Sequence, residues 1–254
     1  MNLDLAPLID TWRPFLAGAF LVFLRVGAVM AMLPAFGERA VPTRVRLGLT
    51  IAFTAIVTPA VAPGLPAALP PLLAIATESV IGLALGLILR LMILALQMAG
   101  EIAAQSTSLA QMLGAASMDP QPAMGRLMMM AGLALAVMSG LHVRAAEAMI
   151  LSYEMLPAGR FPDASTLSEW GVLGIARGFG LAATLAMPFV IASLIYNLAL
   201  GVINRAMPQL MVTFVGAPAI TLGGLVLLMI ATPILLALWH QDFVGFLADP
   251  FGGR

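Results

Sequence analysis

The sequence has no cysteine, no lysine, two histidines and few charges of either sign. Without cysteine there can be no disulfide, thiol nucleophile or thiolate metal site. Without lysine, Schiff-base catalysis and the lysine of a P-loop are excluded. His142 and His240 are too few for most histidine-built metal sites, and no cofactor is expected. Twelve basic and twelve acidic residues give a formal charge of zero, with 9% of the 254 residues charged. No basic field exists to attract nucleic acid. What remains is apolar: 61% of the residues are hydrophobic, against roughly half in an ordinary soluble domain. That composition belongs to an integral membrane protein.

The charges serve as punctuation. The stretches Leu47–Thr77, Gly178–Asn204 and Ala206–Gln241 carry none, and each exceeds the roughly 20 residues that cross a hydrocarbon core. Apolar runs between Pro, Gly and charge breaks predict six helical segments near 14–33, 47–62, 72–99, 126–151, 170–203 and 210–239. The fold class is therefore all-α, a polytopic membrane protein with several helices broken by Pro or Gly. No polar stretch is long enough to bury a second core, so residues 1–254 are expected to form one membrane domain. Asp4 and Asp10, with only Arg13 as a basic residue before the first run, argue against a cleaved leader. Arg39, Arg44 and Arg46 mark the first loop as cytoplasmic by the positive-inside rule, which puts both termini outside.

Several charges fall inside the apolar runs. A charge at mid-bilayer costs at least ~2.5 kcal/mol, so such groups face protein or water. Arg90, Arg144 and Arg177 can snorkel from helix ends. Arg25 and Glu78 lie deeper and are predicted to be buried in an assembly. Arg144 and Glu147, three residues apart, can pair on one helical face. Gly82 with Gly86 and Gly174 with Gly178 form GxxxG steps that let helix backbones approach closely. Trp239 and His240 close the last predicted helix in the manner of an interfacial anchor. Met128, Met129 and Met130 fit either helix packing or a deformable pore lining. The stretch from Gln105 through Ser106 to Gln111 is too polar for lipid. No catalytic motif occurs.

Four segments carry a resemblance to a known family. Pro34–Gly48, reading PAFGERAVPTRVRLG, resembles the first-loop signature of the FliR family of flagellar type III secretion. Ala99–Ile102 (AGEI), Ser117–Pro120 (SMDP) and Leu200–Leu210 (LGVINRAMPQL) followed by Val215–Pro218 (VGAP) agree with it in order along the chain. Ala217 and Ala219 are smaller than that pattern favours, and the Gln105–Gln111 run is more polar. The resemblance implies a non-enzymatic export-gate subunit that assembles as one copy with several FliP and FliQ subunits. The closed pore so formed, with FlhB attached, sits in the bacterial inner membrane within the flagellar basal body, and unfolded flagellar proteins pass through it. It further implies that much of the subunit stands above the bilayer plane, which would make the six-span topology an illusion of hydropathy. Carried over by position, the family's plug covers Gln105, Ser106, Gln111, Met112, Ser117, Met118 and Asp119. Assembly contacts fall on Arg25 and Glu78 and on Asn204, Arg205, Pro208 and Gln209. Membrane lipid is the remaining contact, and nucleic acid is not a partner. A virulence injectisome counterpart is the nearest alternative. A secondary solute transporter, using Arg25 or Glu78 at a midplane site, is the alternative from a different class.

Overall fold

A computed structural model describes residues 6–65, 72–107, 123–207 and 212–252. These form seven α-helices: α1 (Ala6–Met32), α2 (Thr43–Val61), α3 (Leu72–Thr107), α4 (Ala123–Met138), α5 (Leu141–Met155), α6 (Ala164–Ala206) and α7 (Val212–Ala248). A short 3₁₀ turn, Ala62–Gly64, follows α2, and no strand occurs among the described residues. Long runs of Leu, Ala, Ile and Met favour helix, and in lipid only helices and closed barrels satisfy every backbone group internally. Five helices are long and apolar enough to cross a membrane, and α4 with α5 makes a sixth if that bent pair is one span.

The segment predicted as one helix over 126–151 is instead two helices, α4 and α5, separated by a break at residues 139–140. Gly140 adopts φ +83°, a left-handed conformation, and its N–H closes on Val137 O at 3.1 Å. Glycine takes that conformation without steric cost. The predicted end at 239 is also too early, since α7 continues to Ala248, and α3 continues through its polar end to Thr107. At 1.5 Å per residue the 43 residues of α6 have a contour length of about 65 Å and the 37 of α7 about 55 Å. Both lengths are far beyond a hydrocarbon core of ~30 Å. Asp163 caps α6, accepting bonds from the Ser165 hydroxyl and from the Thr166 N–H. Those bonds, the Ser165 one first, hold its carboxyl below the usual carboxylate range.

The chain divides into two compact units. The first comprises α1, α2, α3 up to Leu91, Val137–Ile175 and the tail from Val244. In it α1 packs on α2 and α2 on α5. Helices α1 and α3 meet at the Gly82/Gly86 step. A Cβ at Gly82 would lie 2.4 Å from Arg25 O, and one at Gly86 2.8 Å from Met32 Cβ. Only glycine permits that approach. Leu21, Val26, Val29, Met30, Ile81, Leu85 and Leu89 on these two helices are buried. Thr50, Thr54 and Thr58 lie buried along α2, each hydroxyl donating to the carbonyl four residues earlier. No buried hydroxyl of this stripe is left unsatisfied.

The second unit comprises Met92–Ala136 and Ala176–Phe243. Here α3 and α4 touch at glycines, with a Cβ at Gly100 falling 2.5 Å from Gly125 Cα. Trp239 is not an interfacial anchor. It is fully buried, its Nε1–H donates to Met92 O at 2.7 Å, and its ring stacks on Phe243 with centroids 4.8 Å apart. The apolar window of α6 is only 17% buried and that of α7 only 22%, against 56% for α3. Leu194, Ile195, Leu198 and Val202 on α6 and Met229, Ile230 and Ile234 on α7 stand exposed.

Candidate functional site

The first unit encloses the two charges that lie deepest in the apolar runs. Arg25 Nε donates to Glu78 Oε2 at 2.7 Å and Arg25 Nη2 to Oε1 at 3.2 Å, both side chains being fully buried. Arg25 Nη1 donates to Ser152 O and Ser152 Oγ, each at 3.1 Å, and Nη2 also donates to Leu156 O at 2.9 Å. All five guanidinium N–H groups are thereby used. Ser152 and Leu156 stand at the end of α5, where the last carbonyls lack intrahelical partners. A cation is favoured at that negative helix end.

Glu78 is equally well occupied. Besides the two Arg25 contacts, its Oε2 accepts from Tyr153 Oη at 3.3 Å and its Oε1 from the Gly159 N–H at 2.9 Å. Gly159 adopts φ +73°, the conformation that turns its amide inward. The Tyr153 ring lies 3.7 Å from Arg25 Cζ, adding a cation–π contact. The cluster thus ties α1, α3, the end of α5 and the following turn together. Arg25 and Glu78, expected to meet other subunits, meet each other. Every guanidinium N–H and both carboxylate oxygens of the pair are thus engaged within the chain.

The second unit contains the described part of the polar stretch. Gln105 is exposed at the end of α3 and Ser106 is half-buried. Ser106 O accepts a bond from the buried Ser193 Oγ on α6, and Asn197 Nδ2 donates to that Oγ at 3.1 Å. One turn of the same face carries Tyr196, whose hydroxyl donates to Gly216 O on α7 at 2.9 Å. A half-open cavity of about 240 Å³ lies beside Ser193 and Tyr196, floored by Ala192, Ala219, Gly223 and Gly224. Sequence reading missed Ser193, Tyr196 and Asn197. The available signal was their spacing, three polar residues at i, i+3 and i+4 within the charge-free run Gly178–Asn204.

Asn204 and Arg205 are exposed in the last turn of α6, where a cation again suits the helix end. Gln111, Met112, Ser117, Met118, Asp119, Pro208 and Gln209 lie outside the described residues. Arg177, predicted to snorkel, instead pairs with Asp242 through bonds of 2.6 and 3.2 Å. Arg144 and Glu147 do not pair; among the described residues the ion pairs are Arg25–Glu78 and Arg177–Asp242. Met128 is buried and Met130 exposed, so the methionine triplet divides between core and surface. No group of three His, Asp or Glu among the described residues could hold a metal ion.

Residues 16–245 match the family described as bacterial export proteins, family 1. The chain is 33% identical over 231 residues to the flagellar biosynthetic protein FliR of Caulobacter vibrioides, covering 89% of this chain and 92% of that protein. It is 32% identical over 234 residues to the protein of the same name from Escherichia coli, covering 89% and 88%. The FliR of Pectobacterium carotovorum is 29% identical over 227 residues, covering 85% and 84%. The matched region takes in the Arg25–Glu78 cluster, the polar face of α6 and nearly all of α7. With its helices, its apolar spans and this end-to-end similarity, the chain belongs to the FliR family of bacterial export proteins.

Proposed function

We propose that the chain is a non-enzymatic core subunit of the flagellar type III protein export gate in the bacterial inner membrane, at the flagellar basal body. In this reading it forms a closed pore with FliP and FliQ, is joined by FlhB, and passes unfolded flagellar proteins. It needs no cofactor. The observation that carries the reading is the state of α6 and α7. Both are far longer than a bilayer core requires, yet only about a fifth of each apolar window is fully buried within the chain. Polar backbone and side chains outside lipid need protein or water around them, and apolar surface on that scale needs lipid or other helices. Partner helices supply both.

In this reading the residues divide the labour as follows. The saturated Arg25–Glu78 cluster keeps the first unit folded without presenting charge to its surroundings. Gln105 and Ser106, with Gln111, Met112, Ser117, Met118 and Asp119, supply the polar and adaptable groups that close the lumen. Asn204, Arg205, Pro208 and Gln209, between α6 and α7, provide assembly contacts, Arg205 through charge-assisted hydrogen bonds. A transporter would need Arg25 or Glu78 available to a solute, and their pairing opposes that. The flagellar names of the curated relatives favour the flagellar apparatus over an injectisome.

Purification in mild detergent followed by native mass measurement tests the assembly. A large complex with one copy of this chain is expected, and a lone monomer or dimer would contradict it. Deleting residues 106–117 should make the assembled complex leak small ions in proteoliposomes. Unchanged conductance would remove the closure role.

A further inference from the structure

We infer that the loop between α1 and α2 is a headgroup site for an anionic phospholipid, with Arg39 and Arg44 holding the phosphate and the exposed face of α2 carrying the hydrocarbon. The inference stands on this loop and α2 alone and does not depend on the gate reading.

The loop, residues 33–42, has a fixed shape of its own. Gly37 N–H donates to Leu33 O at 2.7 Å and Val41 N–H to Glu38 O at 3.0 Å. Ala35 adopts φ +68°, a left-handed conformation that a residue with a Cβ takes only where its surroundings impose it. Phe36 packs edge-on against the buried Phe53 of α2, with ring centroids 6.1 Å apart. Arg46 reaches back from the start of α2, its Nη2 donating to Glu38 O at 3.1 Å. That bond ties residue 38, and with it Arg39, to the first turns of α2. A site shaped in advance loses little freedom when a ligand arrives.

Three of the chain's twelve basic residues fall within positions 39–46. Arg39 and Arg44 are exposed, and neither belongs to an ion pair among the described residues. Glu38, the one carboxylate of the loop, neutralises neither of them. The first amides of α2 add to the positive potential, because Pro42 at the N-cap gives them no side-chain bond. Guanidinium groups bind phosphate through paired N–H donors, so the loop is complementary to a phosphate in both charge and donor type.

The helix that follows selects a lipid over a free anion. One side of α2 is buried through Thr50, Phe53 and Val57. The opposite side carries Arg44, Leu47 and Ile51 at i, i+3 and i+7, which places the cation and the apolar residues on one face. Leu47 and Ile51 are 50% and 55% exposed, and the helix is long and apolar enough to cross a membrane. A phospholipid presents the same order, an anionic head and then hydrocarbon. An acidic protein segment would satisfy the arginines and leave the apolar face bare.

The test purifies the intact chain in mild detergent with the subunits that accompany it. Lipid retention is read by native mass spectrometry during titration with phosphatidylglycerol or phosphatidylcholine. Phosphatidylglycerol should bind in preference, and inorganic phosphate should not displace it. Arg39→Gln and Arg44→Gln should each weaken that binding about fivefold, and together about 25-fold. Arg126→Gln, at an exposed arginine of α4, should leave it unchanged. Ile51→Asn should weaken it with both arginines in place. Equal retention of the two lipids, or undiminished phosphatidylglycerol binding in the double arginine variant, would overturn the inference. So would displacement by inorganic phosphate, which would make the loop a free-anion site. Loss of an accompanying subunit from the double variant with lipid retention unchanged would overturn it in favour of a protein contact.

Discussion

Arg25 in the first unit and Arg177 in the second both interrupt apolar runs, and they end in opposite environments. Arg25 is wholly buried, with every N–H used and a carboxylate that is itself bonded to Tyr153 and Gly159. Arg177 makes a bidentate pair with Asp242 at the surface, where the two side chains remain 42% and 33% exposed. Geometry is similar in the two pairs, but the consequence of losing one partner is not. A buried charge cannot return to water when its counter-ion is deleted, whereas an exposed one can. The first pair is therefore a condition of the fold, and the second an adjustment of the surface.

Substitutions that remove one partner at a time sharpen the contrast. The largest effect is expected for Glu78→Ala, which leaves the Arg25 guanidinium buried and unpaired at a cost of ~3–5 kcal/mol. The chain should then fail to accumulate in membranes. Replacing both residues by leucine should recover a large part of the loss, because the cost lies in the orphaned charge. Membrane levels of Glu78→Ala equal to the parent would break the comparison. An intermediate effect is expected for Trp239→Phe, which keeps the stack on Phe243 and deletes the bond to Met92 O. About 1 kcal/mol of stability should go, seen as a lower midpoint of thermal unfolding in detergent. The smallest effect is expected for Asp242→Asn, within ~1 kcal/mol and diminishing further with added salt. A loss as large as that of Glu78→Ala would show that Arg177 is buried in the working assembly.

Much of the helical architecture was legible in the sequence, because charge-free runs bounded by Pro, Gly and Arg announce membrane helices directly. Gly140 escaped notice because apolar residues continue across it on both sides, and hydropathy has no term for a left-handed glycine. Burial of Arg25 and Glu78 was readable from their depth in the runs. Their pairing was not, since 53 residues separate them and no local pattern links residues on different helices. Trp239 shows the converse failure. A tryptophan near a helix end is ordinarily interfacial, but α7 runs nine residues further and the indole N–H finds a carbonyl inside. Ser193 and Asn197 left a faint trace, polar residues at helical spacing in an apolar run, while the carbonyl they serve lies on another helix and could not be read from α6 at all.

The membrane-like composition now divides into two kinds of apolar surface. One is consumed within the units, as around Arg25 and Trp239. The other, on α6 and α7, stands exposed in the chain and in the proposed assembly meets partner subunits. Because the chain has no cysteine, single cysteines can separate the two directly. Leu198 and Met229, 70% and 72% exposed, report the outer surface, and the buried Leu185 serves as a control. Labelling by a lipid-soluble maleimide should be strong at Leu198→Cys and Met229→Cys in the chain produced alone, and suppressed once the partner subunits are present. Equal labelling with and without those partners would contradict the claim that α6 and α7 are covered by protein.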